Sequence, residues 1–236
     1  MADVVAANYS LILVMPRLGI PLGFGERSVQ EVCAQYGLPS DFVLLVFNVY
    51  TFNDYLPDEH TFENIDLHLL VPYLLASHRY YLNERLPHIE RHLMHVAAHA
   101  GDRYGVILKQ FFADYKQEVQ SHFQCEEEAV FPVIQLAERG QPVATSCEPV
   151  GDSPRSHHFA DNHSDLVDRL SDLTQIVYKY LPGDCMVEEL NELVFGIMQM
   201  SDDLEKHALL EEKILLPYLA RLEQGGQHIG KGGGAL

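Results

Sequence analysis

The chain has no tryptophan and only four cysteines, Cys33, Cys125, Cys147 and Cys185. None of them pairs as C-x-x-C, which excludes a zinc knuckle and a thioredoxin-type redox pair. A chain of 236 residues can bury a core without disulfide staples, so scattered thiols point to a reducing compartment and a cytoplasmic location. Positive charge is equally scarce: 16 Lys and Arg stand against 34 Asp and Glu, a formal net charge of -18. That balance repels a phosphate backbone and excludes direct nucleic-acid binding. Long apolar runs are missing too. The nearest, around positions 41 to 60, is broken by Asp, Asn and Pro, so no membrane span is expected. Leu11 to Met15 is too short for a secretory core and has Asp3 but no Lys or Arg before it. The glycines between 19 and 25 lack the G-K-[ST] of a P-loop.

What the chain has is a repeat. His78, His122 and Glu126 reappear 85 positions later as His163, His207 and Glu211. In each copy a lone histidine is followed after 44 residues by H-x-x-x-E, with a proline six residues past the glutamate, Pro132 and Pro217. Residues four apart share a helix face, so each H-x-x-x-E aims an imidazole and a carboxylate at one spot. An antiparallel neighbour of roughly 20 to 25 residues would bring the lone histidine to the same level. Two such hairpins converge four histidines and two glutamates inside a four-helix bundle.

A single helical histidine is usually structural; a doubled pattern at identical spacing is not explained that way. Two buried glutamates without cations would each cost several kcal/mol, and metal removes that cost. The reading is a site for two transition-metal ions. Six nitrogen and oxygen ligands without a thiolate suit iron, manganese or zinc, and imidazole-rich bundle cores favour iron. His78, His122, His163 and His207 are the expected terminal ligands. Bridging Glu126 and Glu211 would hold two iron ions about 3.5 Å apart, with a shared oxo or hydroxo group. One position stays open for a small diatomic or peroxide ligand.

The pattern predicts an all-α chain: a small helical N-terminal domain over 1–56, an antiparallel four-helix bundle over 57–224, and a flexible tail over 225–236. Ser28 and Glu31 form a capping box for a helix ending at Gly37, and a second helix starts at Ser40. Met15 to Gly25, punctuated by Gly and Pro, is expected not to be regular helix. The unit reads as a packing module or as a dimerisation module, the second of which would give a homodimer. In the bundle, Ile65, Leu69, Tyr73, Ala76 and Tyr80 define one face, with His78 beside it. Pro72 starts or kinks the first helix, and Pro87 bends or restarts it. A connection at 97–102 leads to a helix over 103–139. A linker at 140–156, a helix over 157–180, a turn at 181–184 and a helix over 186–223 follow.

Other residues carry two readings. His88, His92, His95 and His99 share one face as a solvent-facing group, or as a second metal site or iron path. His157 and His158 read as first-turn surface residues. Cys125, about 100° off the ligand face, reads as a small buried hydrophobe, or as a thiolate ligand that would upset an otherwise complete set. Tyr81, one turn past His78, is either a core tyrosine or the catalytic candidate: a hydrogen-bond donor near a bound ligand, or a redox-active phenol. Apolar Phe123, Leu204 and Leu210 near the ligands suit access by a diatomic gas.

His122-Phe-Gln-Cys-Glu126-Glu127-Glu128-Ala-Val130-Phe131-Pro132 resembles the H-x-x-x-E-E-x-x-L-F-P signature of hemerythrin-like HHE cation-binding domains. His207-Ala-Leu-Leu-Glu211-Glu212-Lys-Ile-Leu215-Leu216-Pro217 is its second copy. His78 to Pro87 resembles the first-helix motif, and Asn162-His163-Ser164-Asp165 the start of the third helix. The ligand pattern is most similar to bacterial regulators or repairers of iron centres; oxygen-carrying hemerythrins use five histidines and replace one glutamate with aspartate. Leu18 to Cys33 resembles that group's leading domain, but Gly23 and Phe24 stand where it has paired cysteines. The resemblance implies a di-iron protein that reacts with NO or oxygen species under nitrosative or oxidative stress. It also implies repair of iron–sulfur centres, with iron–sulfur proteins as partners. An O2 or NO sensor or iron store without turnover, and an interaction module with structural metal, are the alternatives.

Overall fold

The computed structural model describes residues 1–58, 62, 65–139, 141, 155–180, 186–219 and 221. The side chains of 137 and 155–163 lie outside that description. The fold is all-α: a four-helix bundle over 70–219, preceded by smaller helices between Ala2 and Thr51. Two compact units divide it, one of 1–77, 134–143 and 209–236, the other of 78–133 and 144–208.

The first unit opens with α1 (Ala2–Ala7), α2 (Leu11–Arg17), α3 (Val29–Tyr36) and α4 (Ser40–Thr51). The Ser28 hydroxyl accepts from the Glu31 N–H and the Glu31 carboxylate accepts from the Ser28 N–H, closing the expected capping box. Gly37 ends α3 in the left-handed region at φ 66°, where a side chain would be strained. α4 buries Phe42, Val43, Leu45, Val46, Phe47, Val49 and Tyr50. A helix apolar on so many sides becomes the centre of its unit, with α2 and α3 packed on it. The expectation for Met15 to Gly25 needs correcting, because α2 takes in Met15, Pro16 and Arg17. The fixed φ of Pro16 suits a helix, and near the end of so short a one it forfeits a single hydrogen bond. Leu11, Val14 and Met15 are fully buried, which holds the turn together.

The bundle begins with α5 (Leu70–Tyr80), which runs through a π turn (Tyr81–Arg85) into α6 (Leu86–His99). Next, α7 (Gly101–Cys125) runs through a second π turn (Glu126–Val130) into α8 (Phe131–Glu138). α9 (Arg155–Tyr180) and α10 (Val187–Leu210) complete it, α10 passing into a third π turn (Glu211–Leu215). Pro87 thus stands in the first turn of α6, where the expected restart before His88 falls. Each π turn closes with an i to i−5 bond: Leu86 N–H to Tyr81 O, Phe131 N–H to Glu126 O, Leu216 N–H to Glu211 O. A proline follows at once each time, Pro87, Pro132 and Pro217. A wide turn just before a proline moves aside the carbonyls its ring would strike, and the rod continues.

In the second unit the buried positions step by threes and fours. α7 supplies Leu108, Phe112, Tyr115, Val119 and Phe123, α9 supplies Leu166, Leu170, Leu173 and Val177, and α10 supplies Leu193, Ile197, Met200 and Leu204. This is the inner-seam spacing of a bundle. α6 and α7 are joined through Ala100 and Gly101 (φ 77°), a tighter link than 97–102. They also approach closely, since a Cβ on Gly105 would lie 2.2 Å from the Ala97 carbonyl oxygen.

The face proposed for the first bundle helix is displaced. Leu70, Val71, Tyr73, Leu74, Ser77, His78 and Tyr81 are buried, while Leu69, Ala76 and Tyr80 are only half-buried. Ile65 and Leu69 precede the helix, and polar Ser77 and His78 interrupt the true stripe. His78 thus lies within the buried face, not beside it. Cys125 is exposed, contrary to expectation, because its face of α7 points to solvent. The linker expected at 140–156 ends sooner, because α9 already begins at Arg155; residues 140 and 142–154 of it, the turn at 181–184 and the tail at 225–236 lie outside the described residues. No helix among the described residues is long and apolar enough to cross a membrane.

Candidate metal centre

Five of the six candidate ligands sit where a helix meets a π turn or just before one; His163 lies within α9. His78 is three residues ahead of the first π turn, while Glu126 and Glu211 open the second and third. His122 and His207 lie one turn earlier than their glutamates on α7 and α10.

The structure brings His78, Glu126, His207 and Glu211 together, each offering one ligand atom, with these atoms all within 4.8 Å of one another. All four are buried, at 0, 2, 0 and 0% exposure. His78 Nε2 lies 3.1 Å from His207 Nε2 and 3.2 Å from Glu126 Oε2. On its other edge, His78 Nδ1 donates to Glu127 Oε1 at 2.9 Å, which turns the Nε2 lone pair inward. Two imidazole nitrogens facing each other at that distance must share either a proton or a cation. A carboxylate behind the outer nitrogen of a histidine is the arrangement that orients metal-binding imidazoles.

His122 is one step out: its Nε2 lies 3.0 Å from Glu126 Oε1, and its side chain is 10% exposed. The side chain of His163, on α9, lies outside the described residues, as do those of His157 and His158. Tyr81 is fully buried, and its hydroxyl donates to the main-chain oxygen of Asp203 at 3.2 Å. Its ring meets His207 edge-on at 5.6 Å. His99 Nδ1 donates to the His95 carbonyl within its own helix.

Sequence reasoning gave no role to Glu127, although the E-E doublet of each motif was its signal; Glu212 holds the matching place in the second copy. It also left unassigned the stacking of Phe123 on His78, centroids 4.0 Å apart and rings 9° from parallel. Phe131 lies 5.5 Å from the same imidazole. These rings fix His78 in orientation and keep water from it.

The donor set fits a metal. Two carboxylates and two imidazoles buried within a few ångströms are costly without a cation, and nitrogen and oxygen donors of this kind suit a borderline divalent metal. The fold and site define a four-helix metal-binding bundle. The family model described as the hemerythrin HHE cation binding domain matches residues 69–219, and the chain belongs to that family. No curated protein matches the chain, and no solved structure does.

Proposed function

We propose that the chain is a non-haem di-iron protein that reacts with NO or oxygen species and aids repair of iron–sulfur centres under nitrosative or oxidative stress. The observation that carries this reading is the buried cluster of His78, Glu126, His207 and Glu211 in a bundle of the hemerythrin family. Two iron ions would supply redox chemistry and a coordination position open to a diatomic ligand. The chain does the rest. His78 is held in one orientation by Glu127 and by Phe123, so its inner nitrogen needs no reorganisation on binding. His122, against Glu126, and His163, placed by the repeat, complete the proposed ligand set. Buried Phe123, Phe131, Leu204 and Tyr81 give the surroundings an apolar character, which favours a neutral gas over an anion.

The test is anaerobic reconstitution with ferrous iron, followed by metal analysis and addition of NO or O2. About two irons per chain and a spectral change on adding NO are expected. Binding of no iron, or an iron spectrum indifferent to both gases, overturns the reading. Multiple turnovers with NO or O2 favour a reacting protein; a single stoichiometric event favours a sensor or store.

A further inference from the structure

The second unit carries another group of ligand-type side chains, on the seam between α6 and α10. His88 and His92 sit one turn apart on α6, with ring centroids 4.7 Å apart. Together with Glu192 of α10 they place three ligand atoms within 4.8 Å of one another. His88 is ten residues beyond His78, about 15 Å along a helix, so the group is separate from the buried cluster.

The hydrogen bonds reveal how the rings are set. A single guanidinium nitrogen of exposed Arg91, Nη2, donates to His88 Nδ1 at 3.2 Å and to His92 Nε2 at 3.3 Å. Both lone pairs therefore converge on one positive centre. His92 uses its other nitrogen, Nδ1, to donate to Glu189 Oε2 at 2.5 Å. The second oxygen of Glu189 lies 3.3 Å from His95 Nδ1. A carboxylate holding the far side of an imidazole whose near side faces a cation fixes the tautomer and strengthens the donor. The His88 ring passes close to Gly196 of α10, where a Cβ would lie 3.7 Å from its Cδ2, an ordinary contact.

We propose that His88, His92 and Glu192 form a second, peripheral site for a divalent transition-metal ion of the zinc class, with Arg91 holding the place of the ion until one binds. Two imidazole nitrogens and one carboxylate oxygen suit such an ion, with water completing the shell on the exposed side. This inference does not depend on which metal the buried cluster takes.

The test is titration of the chelator-stripped full chain with Zn2+ and with Co2+, counting ions by calorimetry and following Co2+ by its visible spectrum. The double variant His88→Gln, His92→Gln should bind one ion fewer than the native chain while keeping its melting temperature. Arg91→Ala should bind the peripheral ion about tenfold more tightly, the effect of one unit charge roughly 6 Å from a divalent ion in water. Glu189→Gln should weaken binding by about 10–100-fold. An unchanged ion count in the double histidine variant overturns the proposal, and so does an Arg91→Ala variant that binds no more tightly. A gain in affinity cannot come from misfolding, so the arginine variant decides even if the histidine variants are unstable.

Discussion

Glu211→Gln should act with opposite sign on the metal-free and the metal-loaded protein. Without a cation, Glu126 and Glu211 set two carboxylates at 2% and 0% exposure, with ligand atoms no more than 4.8 Å apart. Two unit charges at that distance repel by about 3.5 kcal/mol at an effective dielectric constant of 20. Nearby imidazoles, 3.0 and 3.2 Å from Glu126, offset part of this. Removing one charge in an isosteric side chain should therefore stabilise the stripped protein by about 1–3 kcal/mol. For a chain of this size that is a rise of roughly 2–12 °C in melting temperature. The same change removes a ligand, so the rise in melting temperature that metal gives the native chain should disappear. Circular dichroism melts of both proteins, with chelator and with ferrous iron, supply the four numbers needed. A stripped Glu211→Gln variant that melts at or below the native temperature would refute the reasoning, because the carboxylates would then not be the strained element.

Three further outcomes follow from other parts of the molecule. Gly105→Ala places a Cβ 2.2 Å from the backbone oxygen of Ala97, so α6 and α7 must part; denaturant melts should show a loss of about 1–3 kcal/mol. Tyr81→Phe removes the donor to the Asp203 carbonyl and should cost about 1–3 kcal/mol of stability while leaving iron content and rates with NO and O2 unchanged; a large rate change at full iron content would instead make the phenol part of the reaction. Glu31 has its pKa lowered by its hydrogen bonds with Ser28. Its contribution to stability is present above the ordinary glutamate pKa and is lost as pH falls through the lowered one, so Glu31→Gln should flatten that acid limb in melts taken from pH 6 to pH 3.

The grouping of His78, Glu126, His207 and Glu211 was legible because metal ligation leaves so little freedom. A histidine 44 residues before H-x-x-x-E, repeated 85 positions on, specifies two helix faces and the length of the hairpin between them. The capping box at Ser28 and the stop at Gly37 were legible for a similar reason, since each is a local contact among residues a few positions apart. Partners distant in sequence were not. Glu127 reaches His78 across 49 positions and Glu189 reaches His92 across 97, and no periodicity supplies the relative height of two helices. The buried face of α5 was misjudged by the same limit. Ser77 and His78 are polar members of an apolar stripe, and they are buried only because the bundle provides them with partners.

The π turns are the instructive failure, because their signal was present in the chain. Within the helices the buried positions step by three or four, as at Leu108, Phe112, Tyr115, Val119 and Phe123. Across two of the π turns the step becomes five, from Tyr81 to Leu86 and from Glu126 to Phe131. After all three π turns, a proline stands two residues past the last residue of the turn. Read as breakers, the prolines suggest kinks or restarts. Read with the step of five, they mark the place where one extra residue is absorbed into a wider turn. That extra residue rotates the rest of the helix by roughly 100° relative to an uninterrupted one. Glu126 and Glu211 each open such a turn, so the face that carries the carboxylate inward is not the one that an unbroken helix would continue. The apolar residues beyond it, Phe131 and Ile134 after Glu126, return to the core only because of the shift. The proline six residues past each glutamate therefore belongs to the geometry of the candidate metal centre as much as to the helix that follows it.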